Sequence, residues 1–566
     1  MRYVALASDY DGTLAHNGVV SDQTIKALEQ LRHSGRKLIL VTGRELSDLK
    51  TVFPRLDLFD RAIVENGAVF FNPQTREKRT LAERPPDTFI TELKRRGVRD
   101  LSAGEVIVAT YRPHESAILQ AIRDLGLELQ VIFNKDSVMV LPSGVNKMTG
   151  LAHALFDLKL SRRNVVAVGD AENDHAFLNW CECSVAVSNA IPSLKEKVDL
   201  VTERDEGEGV QELIGRILDD DLASVPLRQP GILIGRAAEE EIYIRSYGQS
   251  LLLCGRSGSG KSTFVAGFME RVAREEYEMC LVDPEGDYEN SNEFVMVGDE
   301  NHPPSFDQIF RFLDDPHVNL SVNLVGIKMR DRPEFFSVLL TRLEEKKLRE
   351  SRPHWLIVDE AHHLLPSDWA PESAELTGHT SNLLLVTVHP EHVSPAALKW
   401  IDIVCVVGSA PNEAAAEFAK IVGAQPPPIP GEDLGPGELI VWFRDSNRVV
   451  RAKSEPGKAE RKRHKRKYAE GELEEDRVFY FRGPEGKLNL RAQNLNTFIQ
   501  MASGIDDETW LFHLRRGDYS RWLTSAVKDQ DLAAEVKKVE KDDSLTAKDS
   551  RQRIIQSIED RYTAPA

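Results

Sequence analysis

Apolar runs of strand length alternate with longer amphipathic stretches along most of the chain. Between Met1 and about Asp220, runs such as KLILVTG and NVVAVGD are separated by helical patterns, a rhythm typical of a parallel α/β sheet. A second series begins near Gly231 and contains SLLLCG, EMCLVD, HWLIVDE and NLLLVTV. The intervening DDDLASVPLRQPG contains proline and has no periodicity. We therefore predict a Rossmann-like α/β domain over 1–220 and a separate nucleotide-fold α/β domain over 231–450.

The pattern changes after about Arg451. Residues 451–475 are first basic and then acidic with little apolar content, which predicts an exposed, charged connector. Its basic run RKRHKRK favours a solvated linker, with contact to nucleic-acid phosphates as the alternative. Residues 476–566 mix aromatic and charged positions and predict a small C-terminal domain of an interaction or regulatory kind, ending in a charged tail. Three aromatic residues are expected in its core rather than as stacking platforms: Phe479, Trp510 and Trp522.

Composition narrows the class of protein. The chain has 566 residues, which is too long for a single hydrophobic core. Its residues are 41% hydrophobic and 29% charged, and no apolar run is long enough to span a bilayer. The N-terminus lacks a secretory signal and the five cysteines are scattered, so we expect a cytoplasmic protein without disulfides. Cys181 and Cys183 are expected to be buried thiols rather than metal ligands. The formal net charge of −18 disfavours nucleic-acid binding by the whole surface.

Candidate chemistry first occurs after the strand-like run VALAS. Asp9 and Asp11 follow this run, and residues two apart on an extended chain point the same way. One carboxylate can therefore attack phosphorus while the other protonates the leaving oxygen and later activates water. Further suitable groups follow other strand-like runs or begin helices: the hydroxyl of Thr42, the cation of Lys147, and the candidate Mg²⁺ ligands Asp170, Asn173 and Asp174.

These residues lie in DYDGT, LVTGR, NK and GDAEND; together with VENGA, these motifs give residues 1–217 a resemblance to the haloacid dehalogenase (HAD) superfamily. Within that superfamily, the sequence more narrowly resembles the Cof-type branch, subfamily IIB. The resemblance implies a Mg²⁺-dependent phosphatase in which Asp9 forms a phosphoaspartate, Asp11 is the general acid/base, and Thr42 and Lys147 hold the phosphate. The implied metal ligands are Asp9, the backbone carbonyl of Asp11, Asp170 and Asp174. A HAD fold without activity is the alternative.

Residues of about 80–145 resemble the α/β cap of this branch, because helical ITELKRR and AILQAIRDL alternate with strand-like EVIVATY and DSVMVLP. In this family the cap selects the substrate. The small size of the segment is similar to the caps of phosphoglycolate and sugar phosphatases. A small phosphorylated metabolite is therefore the expected substrate.

A second candidate site lies in GRSGSGKS, which follows a strand-like run and precedes a helical stretch. Its glycines let backbone amides approach phosphate, Lys261 reaches the β- and γ-phosphates, and Ser262 can ligate Mg²⁺. The predicted nucleotide-binding residues of this segment are Gly255, Gly258, Gly260, Lys261, Ser262 and Thr263. HWLIVDE ends in Asp359, which can hold the Mg²⁺ shell, and Glu360, which can polarise water. Together these motifs indicate ATP binding and hydrolysis.

LVDPEGDYE and VDEAHHLLP give residues 231–445 a resemblance to the HerA/FtsK-like P-loop ATPases. The resemblance implies that Glu360 is the catalytic base and that His389 occupies the position of a polar sensor, commonly Gln. Ring-forming members receive an arginine finger from a neighbouring subunit, and no arginine of this chain is assigned to that role. His362 and His363 are expected on a helix surface rather than as ligands.

Three functions are compatible with these motifs. The first is a two-activity enzyme, in which a HAD phosphatase is joined to an ATPase that regulates, senses or mechanically assists it. The second is a polynucleotide kinase-phosphatase, which Glu360 beside Asp359 disfavours. The third is a ring-shaped DNA or protein translocase with the HAD domain as an accessory module. The expected cofactors are Mg²⁺ and ATP, and the expected partner is a phosphorylated small molecule. Nucleic acid and further copies of the chain, bound through the ATPase domain, are open alternatives.

Overall fold

The computed structural model describes residues 1–238, 240–256, 258–288, 294–370, 382–429, 431–454, 457, 478–527, 529–542 and 544–562. The chain forms two compact units. The first comprises Met1–Lys261, Phe268–Pro284 and Glu293–Ser454, and the second comprises Ser262–Gly267, Glu285–Asn292 and Glu455–Ala566. Within the described residues, no helix has both the length and the apolar character needed to cross a membrane.

The first 220 residues form two sheets. Their strands are β1 (Ala5–Ser8), β2 (Lys37–Val41), β3 (Arg61–Val64), β4 (Val69–Phe71), β5 (Lys78–Thr80), β6 (Ser102–Ala103), β7 (Val108–Tyr111), β8 (Leu129–Asn134), β9 (Ser137–Pro142), β10 (Val165–Gly169), β11 (Cys183–Ala186) and β12 (Leu200–Val201). The larger sheet has the order β12-β11-β10-β1-β2-β3-β4-β5 and is parallel from β12 to β3. The smaller sheet has the order β6-β7-β9-β8 and is antiparallel.

Helices cover both faces of the larger sheet. The helices of the first 220 residues are α1 (Asp22–His33), α2 (Leu46–Val52), α3 (Asp87–Arg95), α4 (Glu115–Asp124), α5 (Lys147–Leu158), α6 (His175–Trp180), α7 (Pro192–Lys195) and α8 (Glu206–Asp220). Successive side chains of a strand point to opposite faces. Leu38 and Leu40 therefore pack in one core with α1 and α8, whereas Ile39 and Val41 pack in the other with α5 and α6. The predicted Rossmann-like α/β arrangement is confirmed.

The smaller sheet has a core of its own. Phe89 and Leu93 of α3 and Ile118 of α4 pack against Val108 and Val140 of the sheet. This core is separate from those of the larger sheet, so residues between α3 and β9 form a compact layer of their own. The side chain of Glu65, directly after β3 of the larger sheet, accepts the N–H of Val106 in this layer.

Within the residues that the structure describes, the second α/β part is one mixed sheet of eleven strands. Its strands are β13 (Ile232–Ala237), β14 (Glu240–Ile244), β15 (Leu251–Cys254), β16 (Met279–Asp283), β17 (Val295–Val297), β18 (Leu320–Asn323), β19 (Trp355–Val358), β20 (Leu383–Thr387), β21 (Ile403–Val407), β22 (Glu438–Phe443) and β23 (Arg448–Lys453). The order is β14-β13-β23-β22-β21-β15-β20-β19-β16-β18-β17. Strands from β21 to β17 are parallel, so the loops at their carboxyl ends meet at one edge.

The helices that accompany this sheet are α9 (Lys261–Arg274), α10 (Phe306–Leu313), α11 (Arg332–Glu350), α12 (Pro395–Leu398) and α13 (Pro411–Val422). The longest of these, α11, buries Leu339 and Leu343 in the same core as Leu252 of β15 and Leu356 of β19. Burial of one such side chain stabilises the folded state by about 1.5–3 kcal/mol. The apolar face of α11 therefore holds the central strands that carry the second candidate site.

A buried polar interface joins the two α/β parts within the first unit. Arg163 donates hydrogen bonds to Glu182 (3.0 Å) and to the backbone carbonyl of Glu275 (2.6 Å). Tyr277 donates a hydrogen bond to Glu182 (2.8 Å), and Arg163, Glu182 and Tyr277 are all buried. Gln229, in the segment between the two series of strands, accepts a further hydrogen bond from Arg163 (2.6 Å). Interior hydrogen bonds, and not only the connecting segment, therefore hold the two parts together.

The C-terminal residues form a short hairpin and a set of helices. These are β24 (Phe479–Phe481), β25 (Leu490–Ala492), α14 (Leu495–Gly504), α15 (Asp507–Arg516), α16 (Asp518–Trp522), α17 (Gln530–Glu540) and α18 (Ala547–Tyr562). Phe479, Trp510 and Trp522 are buried in one core, as predicted. The charged connector begins within β23, and its basic run RKRHKRK lies outside the described residues.

Candidate active sites

The first candidate site lies at the carboxyl ends of β1 and β10, in the middle of the larger sheet. Asp9 follows β1 and Asp170 follows β10, and both side chains are buried. Gly12 has a φ of 76°, and a Cβ on this residue would lie 2.5 Å from Asp170 Oδ2. The chain can therefore turn past Asp170 only with glycine at this position.

Lys147 pairs with two carboxylates inside the protein. Its Nζ lies 2.5 Å from Asp9 Oδ1 and 2.6 Å from Asp174 Oδ1, and its side chain is 1% exposed. Burial lowers the pKa of this ammonium group, but the two carboxylates outweigh burial and raise the pKa above its ordinary value. Lys147 is the first residue of α5, whose start is held by a capping box between Asn146 and Thr149. The helix start thus positions a permanent positive charge between the two carboxylates.

Three carboxylates converge beside this lysine. Oxygen atoms of Asp9, Asp170 and Asp174 all lie within 4.8 Å of one another. The Oδ2 atom of Asp174 accepts hydrogen bonds from the N–H groups of Asp170 (2.8 Å) and Ala171 (2.9 Å), which orient the carboxylate. Clustered carboxylate oxygens are the hard ligands that Mg²⁺ prefers. The residues present therefore fit the predicted ion.

Thr42 and Asn173 lie at the same edge of the sheet. Thr42 follows β2, is buried, and accepts the N–H of Arg44 on its Oγ1 atom (3.2 Å). Asn173 donates from Nδ2 to Asn66 Oδ1 (2.9 Å). The expected position of the Thr42 hydroxyl next to β1 follows from the pairing of β1 with β2.

Arg44 holds Asp11, a contact that sequence reasoning missed. Arg44 Nε lies 2.7 Å from Asp11 Oδ2 and Arg44 Nη2 lies 2.6 Å from Oδ1. A two-point contact of this kind fixes the plane of a carboxylate as well as its distance. Arg44 also contacts Asp48 (2.5 Å) and lies over the ring of Tyr10 at 5.4 Å. The available signal was the arginine that ends LVTGR, two residues after Thr42.

Lys135 is a second site residue that sequence reasoning missed. It lies in the turn between β8 and β9 of the smaller sheet, and its Nζ is 2.8 Å from Asp170 Oδ2. Its backbone N–H donates to Glu172 at 3.3 Å, which holds the turn against the larger sheet. Lys135 and Asp170 are 35 positions apart in the chain, so no local pattern signals their contact.

Glu65 connects the two sheets of the first part. Its buried carboxylate accepts hydrogen bonds from the N–H groups of Glu105 (2.9 Å), Val106 (2.8 Å) and Ile107 (2.9 Å), just before β7. Glu65 and Asn66 have φ angles of 51° and 54°, which are uncommon for residues other than glycine. The VENGA motif therefore forms a turn that anchors the smaller sheet.

The second candidate site begins after β15. A Cβ on Gly255 would lie 2.3 Å from the backbone oxygen of Val407, so only glycine fits between β15 and β21. Lys261 is buried, and its Nζ lies 2.9 Å from the carbonyl oxygen of Gly255. Ser262 and Thr263 follow Lys261 in the first turn of α9.

Asp359 and Glu360 follow β19 at the carboxyl edge of the same parallel strands. The N–H of Asp359 donates to the carbonyl of Val282 (3.1 Å), and the N–H of Glu360 donates to Asp359 Oδ1 (3.0 Å). Glu360 has φ 39° and ψ 54°, a left-handed conformation that costs on the order of 1–3 kcal/mol for a residue with a side chain. Backbone strain of this kind concentrates at functional positions.

His389 follows β20, the strand between β15 and β19. Its N–H donates to Thr387 Oγ1 (3.1 Å), and its Nδ1 lies 2.9 Å from Glu391 Oε1. His362 lies beside Glu360, with its Nδ1 3.5 Å from Glu360 Oε2. The sequence predicts that His362 lies on a helix surface, but its side chain is only 17% exposed. The reason is that the turn Ala361–His363 folds back toward β20.

Cys181 and Cys183 are buried thiols, as predicted. Burial raises the pKa of Cys181 to about 12. Thiolate is the metal-binding form, and such a thiol stays protonated near neutral pH. Glu182, between the two cysteines, contributes to the interface between the two α/β parts.

Comparison with known proteins assigns each α/β part to a family. A family model described as haloacid dehalogenase-like hydrolase matches residues 6–100 and 99–214, and a model described as AAA domain matches residues 244–390. Phosphoglycolate phosphatase 2 of Saccharolobus solfataricus is 32% identical over 222 residues, which cover 38% of this chain and 92% of that protein. The phosphoglycolate phosphatase of Methanothermobacter thermautotrophicus is 28% identical over 220 residues, 38% of this chain and 98% of that protein. A haloacid dehalogenase-like hydrolase from Bacteroides thetaiotaomicron of known structure has 19% identity and a TM-score of 0.33, covering 38% of this chain and 99% of that chain.

These matches assign an activity to each α/β part. The second part is an AAA-type P-loop domain, and the first is a Rossmann-like phosphatase domain. The protein is thus an enzyme with a phosphatase part and an ATPase part. Because a relative 32% identical is matched over 92% of its length, the chain belongs to the haloacid dehalogenase-like hydrolases.

Proposed function

We propose that the chain is a two-activity enzyme in which a Mg²⁺-dependent phosphomonoester hydrolase, residues 1–220, is coupled to an ATP-hydrolysing domain, residues 231–450. The observation that carries the phosphatase half is the contact of buried Lys147 with both Asp9 and Asp174. A fixed cation among carboxylates, at the carboxyl edge of a parallel sheet, supplies the charge stabilisation that phosphoryl transfer requires.

In the proposed mechanism, Asp9 attacks the phosphorus atom of a phosphomonoester. The ester P–O bond breaks, the phosphoryl group passes to Asp9, and Asp11 gives its proton to the leaving oxygen. Asp11 then takes a proton from water, whose oxygen attacks phosphorus and releases inorganic phosphate and the Asp9 carboxylate. Lys147 and Thr42 hold the phosphoryl oxygens, and the two-point contact from Arg44 orients Asp11.

The proposed Mg²⁺ ligands are Asp9, the backbone carbonyl of Asp11, Asp170 and Asp174. Bound there, the ion supplies charge neutralisation between the carboxylates and the phosphoryl group. The convergence of the three carboxylates and the hydrogen bonds that orient Asp174 support this assignment.

We propose a small phosphorylated acid of the phosphoglycolate type as the substrate. Two of the relatives named above are phosphoglycolate phosphatases. Lys135 supports the same class of substrate, because it brings a positive charge from the smaller sheet to the edge of the phosphoryl site. A carboxylate two carbon atoms away from the phosphate would find a partner in that ammonium group.

For the ATPase half, we propose that Lys261 binds the β- and γ-phosphates, Asp359 orders Mg²⁺ together with Ser262, and Glu360 activates water. The strained backbone of Glu360 and the burial of Lys261 support these roles. We also propose that this domain is an ATPase of the HerA/FtsK-like kind, with His389 as the polar sensor. We further propose a homo-oligomer in which a neighbouring subunit supplies the arginine finger.

The buried interface between the two α/β parts supports their coupling. Arg163, Glu182 and Tyr277 exchange hydrogen bonds without access to bulk water, so movement of one part disturbs groups of the other. Residues 476–566 are proposed as a small interaction or regulatory domain, supported by their own aromatic core.

The proposed phosphatase is tested with Asp9→Asn in the full-length protein. We expect loss of Mg²⁺-dependent turnover, because an amide cannot act as the nucleophilic carboxylate. The assay compares phosphoglycolate, sugar phosphates, nucleotides and a 3′-phosphorylated oligonucleotide. Asp57→Asn, an exposed carboxylate outside the site, is the matched control and should retain wild-type turnover.

If the Asp9→Asn variant turns over any good substrate at the wild-type rate, Asp9 is not the nucleophile. If the wild-type protein hydrolyses only the 3′-phosphorylated oligonucleotide, the result would instead favour a polynucleotide kinase-phosphatase. Absence of turnover on every substrate by the wild-type protein, with Mg²⁺ and with or without ATP, would favour an inactive HAD fold.

A further inference from the structure

Histidines are concentrated at one point of the second α/β part. His362, His363, His389 and His392 are four of the 15 histidines in the sequence. Their rings form a chain of contacts, with centroid distances of 4.1 Å from His362 to His363, 6.4 Å from His362 to His389 and 4.9 Å from His389 to His392. Neither the phosphatase mechanism nor the phosphate loop uses His392 or its neighbour Glu391.

Two of these histidines and the neighbouring Glu391 form a set of donors suited to a metal ion. One ligand atom each of His389, Glu391 and His392 lies within 4.8 Å of the others, and all three residues are exposed. His389 Nδ1 and Glu391 Oε1 are already 2.9 Å apart. The three donor atoms are therefore close enough together for their side chains to share one ion.

The backbone that carries these donors is well anchored. Residues 389–392 form one tight turn in which the N–H of His392 donates to the carbonyl of His389 (3.1 Å). Pro390 inside the turn is buried, and the N–H of Val393 donates to its carbonyl (3.1 Å). The turn directly follows the central strand β20, so its position is set by the sheet. A rigid support of this kind lowers the cost of organising a metal site.

We propose that His389, Glu391 and His392 bind a divalent transition metal ion of the Zn²⁺ class. Two imidazoles and one carboxylate are ligands that Zn²⁺, Co²⁺ and Ni²⁺ accept, whereas Mg²⁺ prefers oxygen ligands alone. Three protein ligands leave coordination positions open to water or to a phosphate oxygen. The site lies at the carboxyl edge of β20, between the strands that lead to the phosphate loop and to Glu360.

The test is a Zn²⁺ titration of the full-length protein in excess Mg²⁺, in competition with a chromophoric chelator. The excess Mg²⁺ occupies the oxygen-rich sites. We expect His392→Ala and Glu391→Gln each to weaken one equivalent of Zn²⁺ binding by more than about 100-fold, because even partners of metal ligands contribute roughly 10–100-fold. The matched control is His302→Ala, since His302 also faces a carboxylate, Asp299 at 3.1 Å, and should bind Zn²⁺ as the wild type does.

A second readout is visible absorption of the Co²⁺-loaded protein. We expect ligand-field bands in the wild type and in His302→Ala that are lost in Glu391→Gln, a variant of nearly unchanged shape. Equal Zn²⁺ binding by the wild type, His392→Ala and Glu391→Gln would overturn the proposal. So would a Co²⁺ spectrum of the wild type that is identical to that of Glu391→Gln.

Discussion

Lys135 Nζ lies 2.8 Å from Asp170 Oδ2, so the smaller sheet sets a positive charge against a carboxylate of the phosphoryl site. The Asp170 side chain is 0% exposed and the Lys135 side chain is 54% exposed. The lysine therefore reaches from the solvent side of the site to the buried carboxylate. We therefore expect the part of a substrate that carries no phosphate to meet Lys135 in that position.

Lys135→Met is expected to lower kcat/KM for phosphoglycolate by roughly 10- to 100-fold, because a hydrogen bond to a charged group contributes about 1.5–3 kcal/mol. The loss for p-nitrophenyl phosphate, which carries no carboxylate, should be much smaller. Lys94→Met removes an exposed lysine of the same layer and should change neither rate. Equal losses on both substrates would show that Lys135 does not recognise a carboxylate.

Asp11→Asn is expected to slow turnover by roughly 10²–10⁴-fold, the usual contribution of general acid/base catalysis. The effect of lost proton donation should be largest for esters with poor leaving groups, so steady-state rates are compared across alkyl and aryl phosphates. Asp48→Asn is the matched control, because Asp48 also contacts Arg44 (2.5 Å) but lies outside the proposed chemistry. If Asp48→Asn proves as slow as Asp11→Asn, the effect comes from the arginine and not from the proposed acid/base.

Lys261→Ala and Glu360→Gln are expected to separate ATP binding from ATP hydrolysis. The first should lose productive binding, because the phosphate loop loses its cation. The second should bind Mg²⁺-ATP and hydrolyse it slowly. Fluorescent-nucleotide binding and phosphate release are measured in parallel. Equal loss of nucleotide binding in the two variants would contradict this division of roles.

We expect His354 to make the interface between the two α/β parts sensitive to pH. Its Nδ1 accepts the N–H of Glu278 (2.9 Å), and its Nε2 lies 3.2 Å from Asn164 Oδ1. Both contacts are satisfied by a neutral ring that carries its hydrogen on Nε2. Burial, and then the charge of Arg352, lower the pKa of His354 well below its ordinary value.

Stability should therefore fall in acid. The unfolded chain binds a proton at His354 below about pH 6.5. The folded protein does not until its lower pKa is reached, so the free energy of unfolding falls by about 1.4 kcal/mol per pH unit in that window. We expect His354→Gln to reduce the shift in urea midpoint between pH 7.5 and 5.5, whereas exposed His302→Gln should not. An unchanged shift in His354→Gln would remove His354 as the cause.

A fragment that ends near Asp220 is expected to fold and to hydrolyse a generic aryl phosphate with Mg²⁺ and without ATP. All the proposed phosphatase residues precede that point: Asp9, Asp11, Thr42, Lys147, Asp170 and Asp174. The cut exposes Arg163 and Glu182, which are paired with each other at 3.0 Å in the full-length protein, so we expect the pair to tolerate water. Asp9→Asn in the same fragment is the control. A soluble, Mg²⁺-loaded fragment that is inert, beside a full-length protein that works only with ATP, would mean that the ATPase part gates the phosphatase.

Much of the phosphoryl site could be predicted because its parts are signalled locally. Asp9 and Asp170 each follow a short apolar run that is a buried strand, and Lys147 begins a capped helix. Parallel strands bring their carboxyl ends to one edge, so residues at those ends meet. Arg44 was visible in a motif, yet its contact with Asp11 was not, since either residue has several conformers that satisfy the local pattern.

The sequence by itself determined where strands end in carboxylates, where a glycine-rich loop precedes a helix, and therefore which two α/β parts the chain contains. Strand and loop preferences depend on neighbouring residues, so they are readable without the fold. Only the tertiary structure decided that Lys135 reaches Asp170 and that Arg163 meets Tyr277 across a buried interface. These contacts join residues 35 and more positions apart, and they depend on how whole sheets pack, which no local pattern encodes.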